Sequence, residues 1–362
     1  MSLRDRLVKN FRVLACGLVT GVQLPTVIWA CTFTHSPLPA LWAAAVSAPY
    51  LLKLDKPWSD PAPRLLSYLA LGWWASCLAF DVLLIPALII VRAGAPSSWV
   101  WGLAAGLALA VGADAVVGEP RVRRRTVKIA GLAPALRGYR IGQLSDVHCG
   151  PHVPEARVAR WVRRLNAQKL DLVTVTGDLI TRGDSHVEPV ARALGGLRAR
   201  DGAFVSLGNH DYFTDGEQLV RSLEQQGLRV LRNEGVVVNR LDARLYVAGV
   251  DDTWTNRDDV DKALKGRPPG TPVVLLAHDP DLFPEAQKLQ VDLMLSGHTH
   301  GGQLAIPGAP RLNLAHFMSG WTSGLYHVGC TWLYVSRGAG TTGPPVRFGA
   351  APELTVLTLE AA

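Results

Sequence analysis

Residues 139–148 read YRIGQLSDVH, an apolar-rich run that closes on a serine, an aspartate and, two positions later, a histidine. Short runs bounded in this way read as buried strands. The strand predicted over 139–144 therefore delivers a carboxylate, Asp146, and an imidazole, His148, just past its carboxyl end. The same grammar returns downstream. Val173-Thr174-Val175-Thr176 leads into Gly177-Asp178, Val205-Ser206-Leu207 into Gly208-Asn209-His210-Asp211, and Val274-Leu275-Leu276 into Ala277-His278-Asp279. A fifth cluster, Gly297-His298-Thr299-His300, follows the strand predicted over 293–296. Open α/β sheets hold ligands beyond the carboxyl ends of their strands, so ends distant in sequence can meet at one point. The glycines at 177, 208 and 297 allow tight turns and close backbone approach. Together the clusters supply enough oxygen and nitrogen donors for two divalent cations. Carboxylates mixed with neutral imidazoles suit Mn, Fe or Zn and need no thiolate. Metal-assisted hydrolysis is the chemistry such a set serves.

Around these clusters, further strands are predicted over 170–176, 203–207, 229–231, 245–250, 273–277, 333–336 and 354–359. Helices are predicted over 154–168, 187–199, 216–226, 260–264 and 280–288. Strands alternating with amphipathic segments imply a layered α/β sandwich.

The ordered series D-x-H, G-D, G-N-H-D, A-H and G-H-T-H resembles the calcineurin-like metallophosphoesterase superfamily. The longer stretches Gln143–His148 (QLSDVH) and Ser296–Gln303 (SGHTHGGQ) resemble its membrane-associated branch of bacterial phosphoesterases and animal transmembrane relatives. The resemblance covers residues 138–359 and implies a four-layer α/β/β/α sandwich. Carried over residue by residue, it implies that Asp146, His148 and His300 hold a first metal and Asn209, His278 and His298 a second, with Asp178 bridging both. It further implies that His210 faces the phosphate as a general acid, with Asp211 as a residue to orient it, and Arg182 as a contact to substrate phosphate. In protein-phosphatase relatives an acidic residue three positions after the bridging aspartate pairs with that histidine. Here Thr181 occupies the place, so the group that orients His210 is open. Manganese is the first metal to try. Asp279, Asp281, His152, His186, His316 and His327 are unassigned, since a single polar residue in a loop is more often a cap than a ligand.

The amino-terminal third is of another kind. Residues 11–118 are dominated by Leu, Ala, Val and Trp, with apolar stretches over 11–33, 38–54, 65–91 and 99–117 near the length of a bilayer crossing. We expect about four transmembrane helices over 1–118, a basic linker over 119–137 and the metallophosphoesterase domain over 138–362. The formal net charge of +7 invites a nucleic-acid reading, but much of the excess flanks the apolar spans: Arg4, Arg6, Lys9 and Arg12 before them, and Arg121, Arg123, Arg124, Arg125 and Lys128 after. That placement follows the positive-inside bias rather than a nucleic-acid footprint, and with an even number of crossings it predicts a multi-pass protein whose catalytic domain faces the cytoplasm. A solvated basic linker is the plainer alternative. Asp81 and Asp114 lie within the apolar spans, where carboxylates face a bundle interior or water. Five cysteines form no disulfide framework, and Cys149, beside His148, is read as a packing residue. Two functions follow: a membrane-anchored hydrolase of a phosphomonoester, phosphodiester or pyrophosphate, with a lipid or lipid-linked substrate among its options, or an inactive metal-binding membrane scaffold or sensor.

Overall fold

The computed structural model describes residues 11–51, 64–213, 215–306, 309–317, 319–343 and 345–362. Arg4, Arg6, Lys9 and Lys53 of the basic segments, and the end of the apolar stretch 38–54, lie outside the described residues. The chain divides into two compact units, Met1–Gly118 with Gly343–Phe348, and Glu119–Thr342 with Gly349–Ala362.

In the first unit the apolar sequence forms helices α1 (Phe11–Thr34), α2 (Leu38–Leu51), α3 (Arg64–Arg92) and α4 (Ser97–Val117). Among the described residues, Ala70–Arg92 is the segment long and apolar enough to cross a membrane, while Leu38–Ser47 is apolar but shorter. The polarity of the unit is inverted relative to a water-soluble bundle. Gln23, Thr26, Ser47 and Ser76 are buried, while Leu24, Ile28, Ile85, Ile89, Trp99 and Leu103 are exposed. The buried groups bond one another: Ser47 Oγ and Trp73 Nε1 donate to Gln23 Oε1 at 3.1 and 2.9 Å. Asp81 accepts from Thr26 Oγ1 at 2.6 Å, so this carboxylate is tied to α1. Small residues bring α3 and α4 together, since a Cβ on Gly112 would stand 2.6 Å from the Gly72 carbonyl oxygen.

The second unit holds two six-stranded sheets. The first runs in the order β1 (Arg121–Ile129), β14 (Glu353–Ala361), β2 (Tyr139–Leu144), β3 (Leu172–Thr176), β4 (Ala203–Ser206) and β5 (Arg229–Val230). The second runs β12 (Gly324–Val328), β13 (Thr331–Val335), β9 (Leu293–Ser296), β8 (Val273–Leu276), β7 (Ala243–Gly249) and β6 (Glu234–Arg240), and a separate antiparallel pair is made by β10 (Ala305–Ile306) and β11 (Ala309–Asn313). β2, β3, β4 and β5 are mutually parallel, as are β7, β8, β9 and β13. Their near-continuous Val and Leu content fits burial on both faces. Ile141, Leu172, Leu245, Val274, Leu276 and Leu295 form a core contributed by both sheets. A second core joins the first sheet to helices α5 (Glu155–Asn166), α6 (Val187–Leu194) and α7 (Gly216–Gln225). A third joins the second sheet to α8 (Val260–Leu264) and α9 (Phe283–Lys288). α5 buries Val158, Trp161, Val162 and Leu165, the spacing of one helical face, each worth roughly 1.5–3 kcal/mol.

Three sequence expectations change. The basic segment read as a linker contains strand β1, nine residues paired in parallel with β14 from Arg121 opposite Glu353 to Ile129 opposite Ala361. The helix predicted over 187–199 ends at Leu194, where Gly195 and Gly196 follow. Strands β6 and β12, absent from the sequence reading, close antiparallel edges on β7 and β13.

Candidate metal centre

All seven expected ligands sit just beyond strand ends: Asp146 and His148 after β2, Asp178 after β3, Asn209 after β4, His278 after β8, and His298 and His300 after β9. Both sheets therefore contribute, and they are pinned to each other directly beneath. Gln143 Nε2 donates to Thr176 Oγ1 at 2.9 Å in the first sheet and to the Ser296 carbonyl at 3.0 Å in the second.

The donors fall into two sets that share one residue. Ligand atoms of Asp146, His148, Asp178 and His300 lie within 4.8 Å of one another, and so do those of Asp178, His278 and His298. Asp178 Oδ2 is 3.5 Å from His148 Nε2 on one side and 3.3 Å from His278 Nε2 on the other. Its Oδ1 accepts the His210 backbone N–H at 2.9 Å, which fixes the carboxylate so that Oδ2 faces both sets. His148 Nε2 and His300 Nε2 stand 3.0 Å apart, and His300 Nε2 is 3.3 Å from Asp146 Oδ1. In the second set His298 Nδ1 lies 3.1 Å from Asn209 Oδ1 and 3.3 Å from His278 Nε2. The donor chemistry fits two divalent cations: clustered imidazole nitrogens and carboxylate oxygens, one carboxylate common to both groups, one neutral amide, and no thiolate.

The backbone carries the same mark. Asp146, His148, Asp178, His298 and His300 all have φ between 48° and 68°. This left-handed region costs a residue with a side chain about 1 kcal/mol or more, and such strain gathers at functional sites. Glycines then make room. A Cβ on Gly297 would lie 2.2 Å from Asp146 Oδ2, and one on Gly208 2.5 Å from Asp178 Oδ1.

Hydrogen bonds outside the cluster set the tautomers. His278 Nδ1 faces the Thr176 carbonyl oxygen at 2.8 Å. A carbonyl only accepts, so Nδ1 holds the proton and Nε2 is directed at the cluster. His210 Nδ1 likewise faces the Thr181 carbonyl oxygen at 3.0 Å, which leaves its Nε2, 3.4 Å from Thr342 Oγ1, as the ring nitrogen without the proton. His210 packs edge-on against His148 at 4.8 Å but is in neither donor set. The residue that orients it is thus Thr181, through a backbone atom.

Asp211, expected to orient His210, spends its carboxylate elsewhere. Its Oδ1 accepts from Leu179 N at 2.8 Å and Ile180 N at 3.3 Å, and its Oδ2 from Gly208 N at 2.9 Å. It braces the two turns that carry Asp178 and Asn209. Arg182 is exposed, with its guanidinium 5.9 Å from the Phe213 ring; that ring in turn lies 4.7 Å from His210. Trp254, 40% exposed, flanks the other side at 5.3 Å from the His298 ring. Neither aromatic residue was singled out from the sequence, and a short distance past a motif, as for Phe213, is the only signal there. Cys149 is buried in the core of the first sheet, and burial pushes its thiol up to about 12, as befits a packing residue.

Charge couples the cluster. Burial works to raise Asp178, but the imidazoles of His278 and His148 hold it well below the usual carboxylate range. Burial works to lower His278, yet the Asp178 charge and hydrogen bond push it up to about 10. Burial and then the His278 charge hold His298 below its ordinary value. Asp211 is pushed up to about 7 by burial and by the Asp178 charge, against the pull of its backbone donors.

Residues 139–302 match the family model described as calcineurin-like phosphoesterase. The chain is 35% identical over 257 residues to a Danio rerio protein described as a transmembrane protein with metallophosphoesterase domain, an alignment covering 67% of this chain and 58% of that one. It is 33% identical over 239 residues to the uncharacterized metallophosphoesterase YkuE of Bacillus subtilis, covering 65% and 84%. It is 35% identical over 246 residues to an uncharacterized metallophosphoesterase of Aquifex aeolicus, covering 66% and 92%. The chain thus spans little more than half the length of its vertebrate relatives. Among solved structures it is similar to GAP50 of Plasmodium, described as the anchor in the inner membrane complex, at a TM-score of 0.37 and 12% identity over 60% of this chain and 80% of that one.

Proposed function

This chain belongs to the calcineurin-like metallophosphoesterase family, and we propose that it is a membrane-tethered hydrolase that cleaves a phosphomonoester, phosphodiester or pyrophosphate bond at a two-cation centre. The observation that carries this reading is the pair of donor sets that share Asp178. Asp146, His148 and His300 would hold one cation, Asn209, His278 and His298 the other, and Asp178 both. Mn, Fe and Zn suit these donors, with Mn the first to test. Bound there, two divalent cations supply a deprotonated water near neutral pH and positive charge for the phosphoryl oxygens.

The chain's own residues account for the rest. Asp178 would offset repulsion between the cations, while the Asn209 amide would ligate without adding charge that repels an anionic substrate. The Thr176 carbonyl keeps His278 in the tautomer that ligates. With Nδ1 tied to the Thr181 carbonyl, His210 carries or releases a proton at Nε2, the geometry of a general acid for the leaving oxygen. A structural metal site has no use for such a group, which counts against an inert scaffold. Asp211 positions the two turns, and Arg182, exposed near Phe213, would supply an outer phosphate contact.

Membrane embedding is supported by the inverted polarity of the first unit, apolar outside and hydrogen-bonded within. We assign its four helices to the bilayer and, from the cations that follow α4, the catalytic unit to the cytoplasmic side. This setting favours a lipid or lipid-linked phosphate ester. The test is hydrolysis of bis-p-nitrophenyl phosphate and p-nitrophenyl phosphate by the full chain with Mn²⁺, Fe²⁺ or Zn²⁺, followed by lipid phosphates and lipid-linked pyrophosphates. Asp178→Asn should remove both bound metal and turnover. A metal-loaded wild type inert on every class would favour the scaffold.

A further inference from the structure

A second concentration of charge lies on the surface of the catalytic unit, where α5 meets the start of β1, and the proposed chemistry does not use it. Three guanidinium groups converge on one carboxylate: Arg160 Nη2 at 3.1 Å, Arg157 Nε at 3.4 Å and Arg164 Nη1 at 3.9 Å from Glu119. Glu119 is held in place by Trp161, whose Nε1 donates to its Oε2 at 2.7 Å. Arg160 and Arg164 alone outnumber this one carboxylate, so the cluster keeps an excess of positive charge. β1 extends it: Arg124 and Lys128 share one face of this edge strand and are exposed. Arg124 Nη2 donates to Gln168 Oε1 at 2.6 Å, which ties the cations of β1 to the end of α5, where Arg163 and Arg164 are also exposed.

Covalent connection adds a second, independent observation. Glu119 follows Val117, the last residue of apolar helix α4, by two positions, and β1 begins four positions after it. Two residues span about 7 Å, less than the Debye length of about 8 Å at physiological salt. The carboxylate on which the arginines converge is thus joined to the end of α4 by a very short tether.

We propose that the Glu119–arginine cluster and the outward cations of β1 form a docking face for anionic phospholipid headgroups of the bilayer that the apolar helices enter. The proposal rests on the membrane reading above and adds a lipid preference to it. Guanidinium groups suit the partner, since they bind phosphate oxygens in pairs and are only weakly hydrated. Each basic side chain near an anionic surface gains about fivefold in occupancy, and salt removes the gain.

The test uses the full chain in nanodiscs of phosphatidylcholine alone or mixed with phosphatidylglycerol. Arginine side chains are labelled with phenylglyoxal and the rates read by peptide mass spectrometry. Arg124, Arg160 and Arg164 should label about fivefold more slowly in the anionic discs. Arg221, 62% exposed on α7, serves as reference and should not change. High salt should abolish the difference, and Arg160→Gln with Arg164→Gln should weaken the protection of Arg124. Equal rates in both discs would overturn the proposal and leave the cations as guards of an edge strand against mispairing. Alkaline carbonate extraction separates the two claims: a chain released from vesicles refutes membrane embedding itself, whereas a retained chain indifferent to lipid charge refutes only the docking face. The wild-type comparison needs no variant to fold.

Discussion

Gly208→Ala tests whether the two donor sets work as a unit. The backbone of Gly208, at φ −119° and ψ 177°, is one that alanine adopts without strain, so the substitution acts through its methyl group alone. That methyl would stand 2.5 Å from Asp178 Oδ1, 2.6 Å from the Asp178 backbone nitrogen and 2.9 Å from His278 Cδ2. An unstrained contact needs about 3.5 Å, so the carboxylate must retreat by about 1 Å. Asp178 has little freedom to do so, because it sits at φ 54° with Oδ1 bonded to His210 N. The retreat carries Oδ2 away from His148 and His278 together. A misplacement of about 1 Å costs roughly 100-fold in rate, and the overpacking itself costs about 1–3 kcal/mol. We expect kcat/KM on bis-p-nitrophenyl phosphate to fall by about two orders of magnitude or more, with a matching loss of bound Mn measured by elemental analysis. Gly320→Ala is the control, since its methyl meets nothing within 4 Å. A Gly208→Ala protein with full metal content and full activity would refute the shared-carboxylate argument.

His210→Ala should lower kcat by about 10²–10⁴-fold yet leave bound metal unchanged, because the residue lies in neither donor set; metal loss on the same sample would make it a ligand instead. Arg337→Met strands the carboxylate of Glu353, 2% exposed, which now accepts from Arg337 Nε at 2.8 Å and Tyr334 Oη at 2.7 Å. Breaking such a pair costs about 3–5 kcal/mol, readable as a lower denaturant midpoint, and an unchanged midpoint would contradict it. Acid should act oppositely on the metal-free and loaded protein. His278, pushed up to about 10 without metal, gives stability that is fully present below its unfolded value of 6.5 and lost as pH rises through 10. Asp211, raised from 3.8 to about 7, binds its proton more tightly when folded, so it too favours the fold at lower pH across that window. His298, held low, works against these two by favouring the fold as pH rises, but their combined effect should leave the metal-stripped chain melting at higher temperature near pH 5 than near pH 9. The Mn-loaded chain should lose its metal-dependent stabilisation in acid, because imidazoles must be neutral to ligate. Melting curves with the same slope in both forms would defeat this account.

The clustering of the candidate ligands was legible in the sequence because metal binding demands particular side chains, and parallel strands deliver them at predictable places. The two carbonyls that set histidine tautomers, of Thr176 and Thr181, were not, since every residue carries a backbone carbonyl and only the folded geometry selects the one that faces a histidine. Asp211 was misassigned because adjacency in sequence suggested contact with His210. The 3₁₀ turn Asn209–Tyr212 advances about 120° per residue, so successive side chains diverge: His210 stands beside the cluster while Asp211 turns to the backbone of Leu179 and Gly208. β1 was hidden for a different reason. An edge strand protected by cations has the composition of a solvated linker, and only its pairing with β14 reveals the strand.

Strain at the ligands is the part of the site that composition conceals most fully. Left-handed backbone is the province of glycine, yet five of the seven candidate ligands adopt it as Asp or His. The reversal has a chemical use. It lets His298 N donate to Asp146 Oδ1 at 2.9 Å, as His210 N donates to Asp178 Oδ1, so each carboxylate is held by one oxygen. A carboxylate fixed in this way is preorganised, and a cation entering the cluster need not order it first. Substituting glycine at His148 or His300 would relieve the strain and lose the ligand. The strain therefore persists where function opposes the residue that local conformation would choose.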